Sequence, residues 1–257
     1  MKNRLLELVK GELSRLNKYN VFSISMLVAI IWGVILFLLE EDMLGSLLPF
    51  ILVMDATMMS VMYIGSVMYF EKSESTISTM LVTPVTNKEL VLSKVIANTI
   101  HNTFGSSLII IVFLLFKDVD VNIFLVFLGI VSTTSFFTVA GLCLAYFQKD
   151  FTGMLVNIMI LAFVFFIPTA LYMFGVLKAD FWEYLLLINP VQAGQEVIRG
   201  AFGGYKFTYV YYVSLVYMII GSGLLYYLFA IPNFITKSTR GRFATAAGAL
   251  CVCLPSN

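Results

Sequence analysis

The chain has 257 residues, 60% of them hydrophobic and 12% charged, with a formal net charge of +1. Soluble domains carry about 25% charged residues, so the composition excludes an ordinary water-exposed fold, and no basic face large enough to neutralise several phosphates is visible, which excludes a nucleic-acid partner. The three cysteines, Cys143, Cys251 and Cys253, supply neither a disulfide framework nor a ligand set, and no metal site is expected.

Residues 1–20 place Leu5, Leu8, Val9, Leu13 and Leu16 on one helical stripe, with Lys2, Arg4, Lys10, Arg15 and Lys18 largely off it. That pattern fits an amphipathic interfacial helix, and it fits equally a run of topogenic charge ahead of the first span.

Six apolar runs follow, at Val21–Leu39, Leu44–Phe70, Val95–Phe116, Ile123–Phe147, Met154–Phe174 and Tyr209–Ile231. A hydrocarbon core of about 30 Å needs about 20 apolar residues in helical form, because lipid offers the backbone no other hydrogen-bond partner. Each run meets that requirement, so the expected fold is an all-α integral membrane protein with six transmembrane helices. The first run leads into Glu40, Glu41 and Asp42 rather than a small-residue cleavage site, so it is expected to stay in the protein.

Orientation follows from basic loops, which stay on the cytoplasmic side. The N-terminus, the loops after spans two and four, and the C-terminus hold twelve of the 16 Lys and Arg: Lys2, Arg4, Lys10, Arg15, Lys18, Lys72, Lys88, Lys94, Lys149, Lys237, Arg240 and Arg242. Both termini are therefore expected in the cytoplasm. Tyr209, Tyr211, Tyr212, Tyr226 and Tyr227 sit near the ends of the last span as interfacial anchors.

The cytoplasmic loop between spans two and three holds the most informative pattern. Ile77, Met80 and Leu81 fall at i, i+3 and i+4, so a short helix here presents an apolar ridge. Pro84 ends it by disfavouring helical geometry at Thr83 and lacking an N–H. Thr86 with Glu89 forms a capping box that restarts a helix leading into span three. Read without any family, the segment is either such a two-part hairpin or an ordinary polar connector.

At these residues the chain resembles the permeases of type-2 ATP-binding cassette exporters. Glu71, Lys72, Thr76, Leu81, Thr83, Pro84, Glu89 and Lys94 occupy the places of that family's loop signature. Ser75 stands where the family usually has glycine, and Ser73 where a second acid is frequent. The resemblance covers about residues 1–240 and implies that the short helix is a cytoplasmic coupling helix docking on an ATPase. The contacting residues would be Glu71, Lys72, Thr76, Ile77, Met80, Leu81, Thr83, Pro84, Lys88 and Glu89. It further implies two copies of a separate ATPase that binds ATP and Mg, a second permease chain, identical or related, and a prokaryotic plasma membrane. The chain has no G-x-x-x-x-G-K-[ST] loop, and Gly203-Gly204-Tyr205-Lys206 lacks its spacing, so no nucleotide or other cofactor is expected on the chain itself. The implied role is transport without enzymatic activity: export of a hydrophobic or amphipathic substrate such as a drug, an antimicrobial peptide or a lipid.

From Gly175 to Phe207 the chain is too short to cross twice. It reads as an external re-entrant hairpin turned at Asn189 and Pro190, or as an amphipathic surface loop. Within the spans, Asp55 is the most costly polar group. Asp55 and Asn157 are the substrate-path candidates, with a helix-bonded or protonated structural acid the other reading of Asp55 and a packing polar group the other reading of Asn157. His101, beside Asn98 and Asn102, reads as a structural histidine too far inward to pair with Asp55, and Pro168 as a kink. No acid, base or nucleophile set is present, so no catalytic residue is expected. The alternatives from other classes are an intramembrane enzyme, which needs clustered acids and histidines, and an ion-coupled carrier, which usually shows internal repeats. The expected organisation is an interfacial helix at 1–20, a six-helix permease domain at 21–240 and a tail without assigned role at 241–257.

Overall fold

The computed structural model describes residues 2–18, 20–38, 41–74, 85–116, 120–148, 150–177, 180–203, 205 and 207–234. Helix α1 (Lys2–Lys18) precedes six long helices: α2 (Val21–Leu38), α3 (Glu41–Ser73), α4 (Asn87–Phe116), α5 (Ile123–Phe147), α6 (Phe151–Met173) and, last, α9 (Tyr209–Leu225). Two short helices, α7 (Asp180–Leu186) and α8 (Pro190–Arg199), lie between α6 and α9. Among the described residues there is no strand, only an isolated bridge between Val121 and Phe202. Each of the six long helices is long and apolar enough to cross a membrane.

Local chemistry sets the helix ends. Helix α4 starts at Asn87, ahead of the apolar run, because the capping box forms: Glu89 N–H donates to Thr86 Oγ1 at 3.3 Å, and Glu89 Oε2 accepts from Thr86 N–H at 3.0 Å. Asn122 and Asp150 cap α5 and α6, accepting from Leu125 and Gly153 N–H. Asn20 joins α1 to α2 with φ at +58°, a left-handed geometry that asparagine tolerates better than most residues. Helix α9 continues through a π-turn over Tyr226–Ala230 to residue 234.

The core runs along α3, α4 and α5, whose apolar residues are largely buried, while α2, α6 and α9 turn broad apolar faces outward. Helices α3 and α5 approach closely at Gly141. A Cβ on Gly141 would come within 2.9 Å of Val61 Cα and 2.8 Å of Ile64 Cγ2, so only glycine fits. Hydroxyls in these helices bond back to their own turns, as Thr134 Oγ1 does to Ile130 O at 2.8 Å. Helix α8 is buried from Pro190 to Ile198 against α3, α5, α6 and α9.

The connections sort into two ends. At one, Asn122 N–H donates to Ala201 O and Gly203 N–H to Asp120 O, each at 2.8 Å, tying the α4–α5 link to the turn after α8. At the other, Lys72 Nζ donates to Gln148 O at 2.9 Å and Tyr226 Oη to Lys88 O at 3.0 Å. Lys72, Lys88 and Gln148, which precedes Lys149, thus share one end of the bundle, while Lys149, Lys237, Arg240 and Arg242 lie outside the described residues.

Candidate functional site

Helix α1 folds its apolar stripe inward, burying Val9 and Leu16, and so carries Glu12 and Arg15 to the junction with α3 and α4. Arg15 pairs with Glu12, one turn away, and with Glu71 at the end of α3. Lys94 of α4 donates to Glu12 at 2.8 Å and pairs with Glu71. The Lys94 and Glu71 side chains are 1% and 4% exposed, those of Glu12 and Arg15 11% and 20%. Two cations and two carboxylates balance, which is what keeps four charges tolerable out of water. Glu71 lies before residues 75–84 and Lys94 after them, so this junction ties the two helices flanking that segment to each other and to α1.

Of the residues assigned to the loop signature, Thr76, Ile77, Met80, Leu81, Thr83 and Pro84 lie outside the described residues. Glu71 and Lys94 face the junction. Lys72 and Lys88 are exposed at the same end, and Glu89 caps α4. Glu12 and Arg15 were not singled out as partners by sequence. The available signal was an acid three residues ahead of an arginine at the edge of the apolar stripe.

Asp55 lies in a polar seam between α2, α3 and α4. Its Oδ2 accepts from Ser106 Oγ at 3.1 Å, and the Trp32 side chain also hydrogen-bonds to the carboxylate. The adjoining cleft, lined in part by Ser25, Met59 and Asn102, has a volume of about 10 Å³, room for about one water. Asp55 itself lines this small cleft. His101 is fully buried, with Nε2 3.0 Å from Ser25 Oγ and its ring between Phe22 and Tyr63 at centroid distances of 4.6 and 5.0 Å. Asn98 Nδ2 donates to Ser60 O at 3.1 Å and to Thr138 Oγ1 at 2.8 Å, joining α4 to α3 and α5.

Asn157 is exposed on α6 and donates to Gln148 Oε1 at 2.8 Å, apart from the Asp55 seam, so the two path candidates are not brought together. Asn189 caps α8 by accepting from Val191 N–H at 2.9 Å. Its Nδ2 also donates to Phe165 O at 2.8 Å and to Thr169 Oγ1 at 3.1 Å, beside Pro168. The turn at Asn189 and Pro190 is thereby fastened to α6 where proline interrupts the backbone ladder. Sequence reasoning passed over Glu196, buried on α8, which accepts from Gln192 Nε2 and Tyr205 Oη at 3.1 Å each. Burial, with the Glu196 charge beside it, pushes the Tyr205 hydroxyl up to about 12, so it stays protonated and donating.

Six helices long and apolar enough to span a bilayer define a multi-pass membrane protein. A family model described as ABC-2 type transporter matches residues 8–203, and the chain belongs to that family of ABC transporter permeases. The match takes in α1 from residue 8 onward, the junction and α8. A comparison with curated proteins returns no match.

Proposed function

We propose that the chain is the membrane-spanning subunit of an ATP-driven exporter whose ATPase is a separate polypeptide. The observation that carries this reading is the junction of Glu12, Arg15, Glu71 and Lys94. A buried charge set that fixes both ends of one loop makes α1, α3 and α4 move together when that loop is pushed. Such a rigid, contiguous connection is what transmission from an external motor requires.

In this reading the 75–84 segment is the coupling helix, with Ile77, Met80 and Leu81 seated on the ATPase and Lys72 and Lys88 at the rim. The junction end faces the cytoplasm, and α1 lies along the inner headgroup layer. Helices α7 and α8 form a re-entrant hairpin in the outer leaflet. Two permease chains, identical or related, enclose the path, and the exposed apolar faces of α2, α6 and α9 meet lipid or the second permease. ATP and Mg bind the two ATPase copies and bias the permeases between inward-facing and outward-facing states. The cargo is a hydrophobic or amphipathic molecule.

The test is co-purification with an ATPase followed by transport in vesicles. Export that requires ATP and is lost in Met80→Asp with Leu81→Asp, while the double variant still inserts, supports the proposal. Transport by the chain alone, or driven by an ion gradient, replaces it with a secondary carrier.

A further inference from the structure

Helix α2 packs on α4 and touches α3 only sparsely, which leaves a cavity of about 520 Å³ between α1, α2 and α3 at the junction end. That volume lies within the range of small-molecule sites, roughly 300–1,000 Å³. Its wall on α3 runs from Glu74 to Tyr63, about 16 Å at 1.5 Å per residue. The two ends differ in chemistry. Val67, Phe70 and Ile24 give an apolar wall, whereas Arg15, Glu71 and Glu74 gather at the mouth.

The mouth is short of one positive charge. Arg15 and Lys94 are matched by Glu12 and Glu71, and Glu74 adds a further carboxylate on the same wall. Glu71 is 4% exposed, and its Oε2 is buried without a hydrogen-bond partner among the described residues while Oε1 serves both cations. A buried carboxylate oxygen left unpaired costs more than one in water. An ammonium donor placed there would satisfy it. Arg15 Nε also lacks a partner, but its guanidinium is already engaged by two carboxylates, and a net negative mouth disfavours an anion.

We propose that this cavity binds an amphiphile with a protonated amine headgroup, the ammonium held between Glu71 Oε2 and Glu74 and the hydrocarbon tail laid along Val67, Phe70 and Ile24. The site goes beyond the exporter reading and does not depend on it, because binding is measured on the chain without any ATPase. Two sources share this chemistry: a single-tailed alkylamine, or the headgroup of phosphatidylethanolamine.

Native mass spectrometry of the full-length chain, released from maltoside micelles with dodecylamine or dodecanol added in parallel, tests it. The expected result is one dodecylamine bound at concentrations where dodecanol does not bind. Occupancy falls roughly tenfold or more in Glu74→Lys and in the cavity-filling Val67→Trp, as loss of a charge-assisted bond or of the tail space requires. Ile24→Trp blocks the same space from α2 and guards against a fold defect peculiar to one variant. Competition by phosphatidylethanolamine but not phosphatidylcholine assigns the site to a lipid headgroup, and absence of competition assigns it to single-tailed amines. Equal binding of amine and alcohol, or occupancy unchanged in both tryptophan variants, overturns the proposal and leaves the exporter reading to its own test.

Discussion

Lys94 Nζ meets Glu12 at 2.8 Å across 82 residues of sequence, and the same ammonium pairs with Glu71, so one buried cation ties α4 to α1 and α3 together. Removing it leaves two carboxylates facing only Arg15. Breaking a buried pair from one side costs about 3–5 kcal/mol, because the remaining charge stays out of water.

Lys94→Met is therefore expected to lower stability by about 3 kcal/mol or more. Arg15→Ala is expected to cost less, since that side chain is 20% exposed and water screens it. Thermal unfolding of the purified protein in detergent reads both. Pairing Glu71→Gln with Lys94→Met in a double-mutant cycle should give a cost well below the sum of the singles. Additive costs would show that the two side chains stand near each other without energetic coupling.

The approach of α3 to α5 rests on the absence of a side chain at Gly141, where a Cβ would sit 2.9 Å from backbone at Val61. Backbone cannot rotate aside as a flexible side chain can. Gly141→Leu is expected to push the two helices apart at a cost of about 1–3 kcal/mol. A cysteine pair at the helix surfaces, cross-linked before and after the substitution, measures the separation. Unchanged cross-linking yield with unchanged unfolding temperature would refute the close contact.

Asp55 offers a separate test, because its partners are donors. Asparagine keeps an oxygen that can accept from Ser106 and Trp32, whereas leucine leaves the Ser106 hydroxyl buried without that acceptor. Asp55→Asn should retain stability and export, while Asp55→Leu should lose about 1–3 kcal/mol. Export abolished in Asp55→Asn, with normal expression, would show that the charge itself acts on the cargo.

The six long helices were legible because lipid imposes one rule on every residue of a span, and hydropathy reads that rule directly. Helix ends were legible where a cap carried its own signal, as at Thr86 and Glu89. The tertiary role of Glu12 was not, because its partner Lys94 lies 82 residues away on another helix, and nothing in the local pattern of α1 records that distance. Asn20 likewise looked like any loop residue, although its left-handed backbone sets the bend from α1 to α2. For Asp55 the cost of burial was legible from its place in a span, but the donors that meet it were not.

Asn189 does two jobs that a pair of substitutions separates. Its carbonyl oxygen caps α8 through Val191 N–H, and its amide nitrogen donates to Phe165 O and Thr169 Oγ1 on α6. Aspartate preserves the cap acceptor but turns a second oxygen toward the Phe165 carbonyl, where two acceptors repel. If α8 is held in place by its bond to α6, Asn189→Asp costs as much as Asn189→Ala, about 1–3 kcal/mol. If capping alone mattered, Asn189→Asp would be neutral, since aspartate caps as well as asparagine. Hydrogen exchange on the α8 amides that follow Pro190 reads the difference. Both variants are expected to open α8 faster while leaving α3 and α5 protected, because those helices keep their own contact at Gly141.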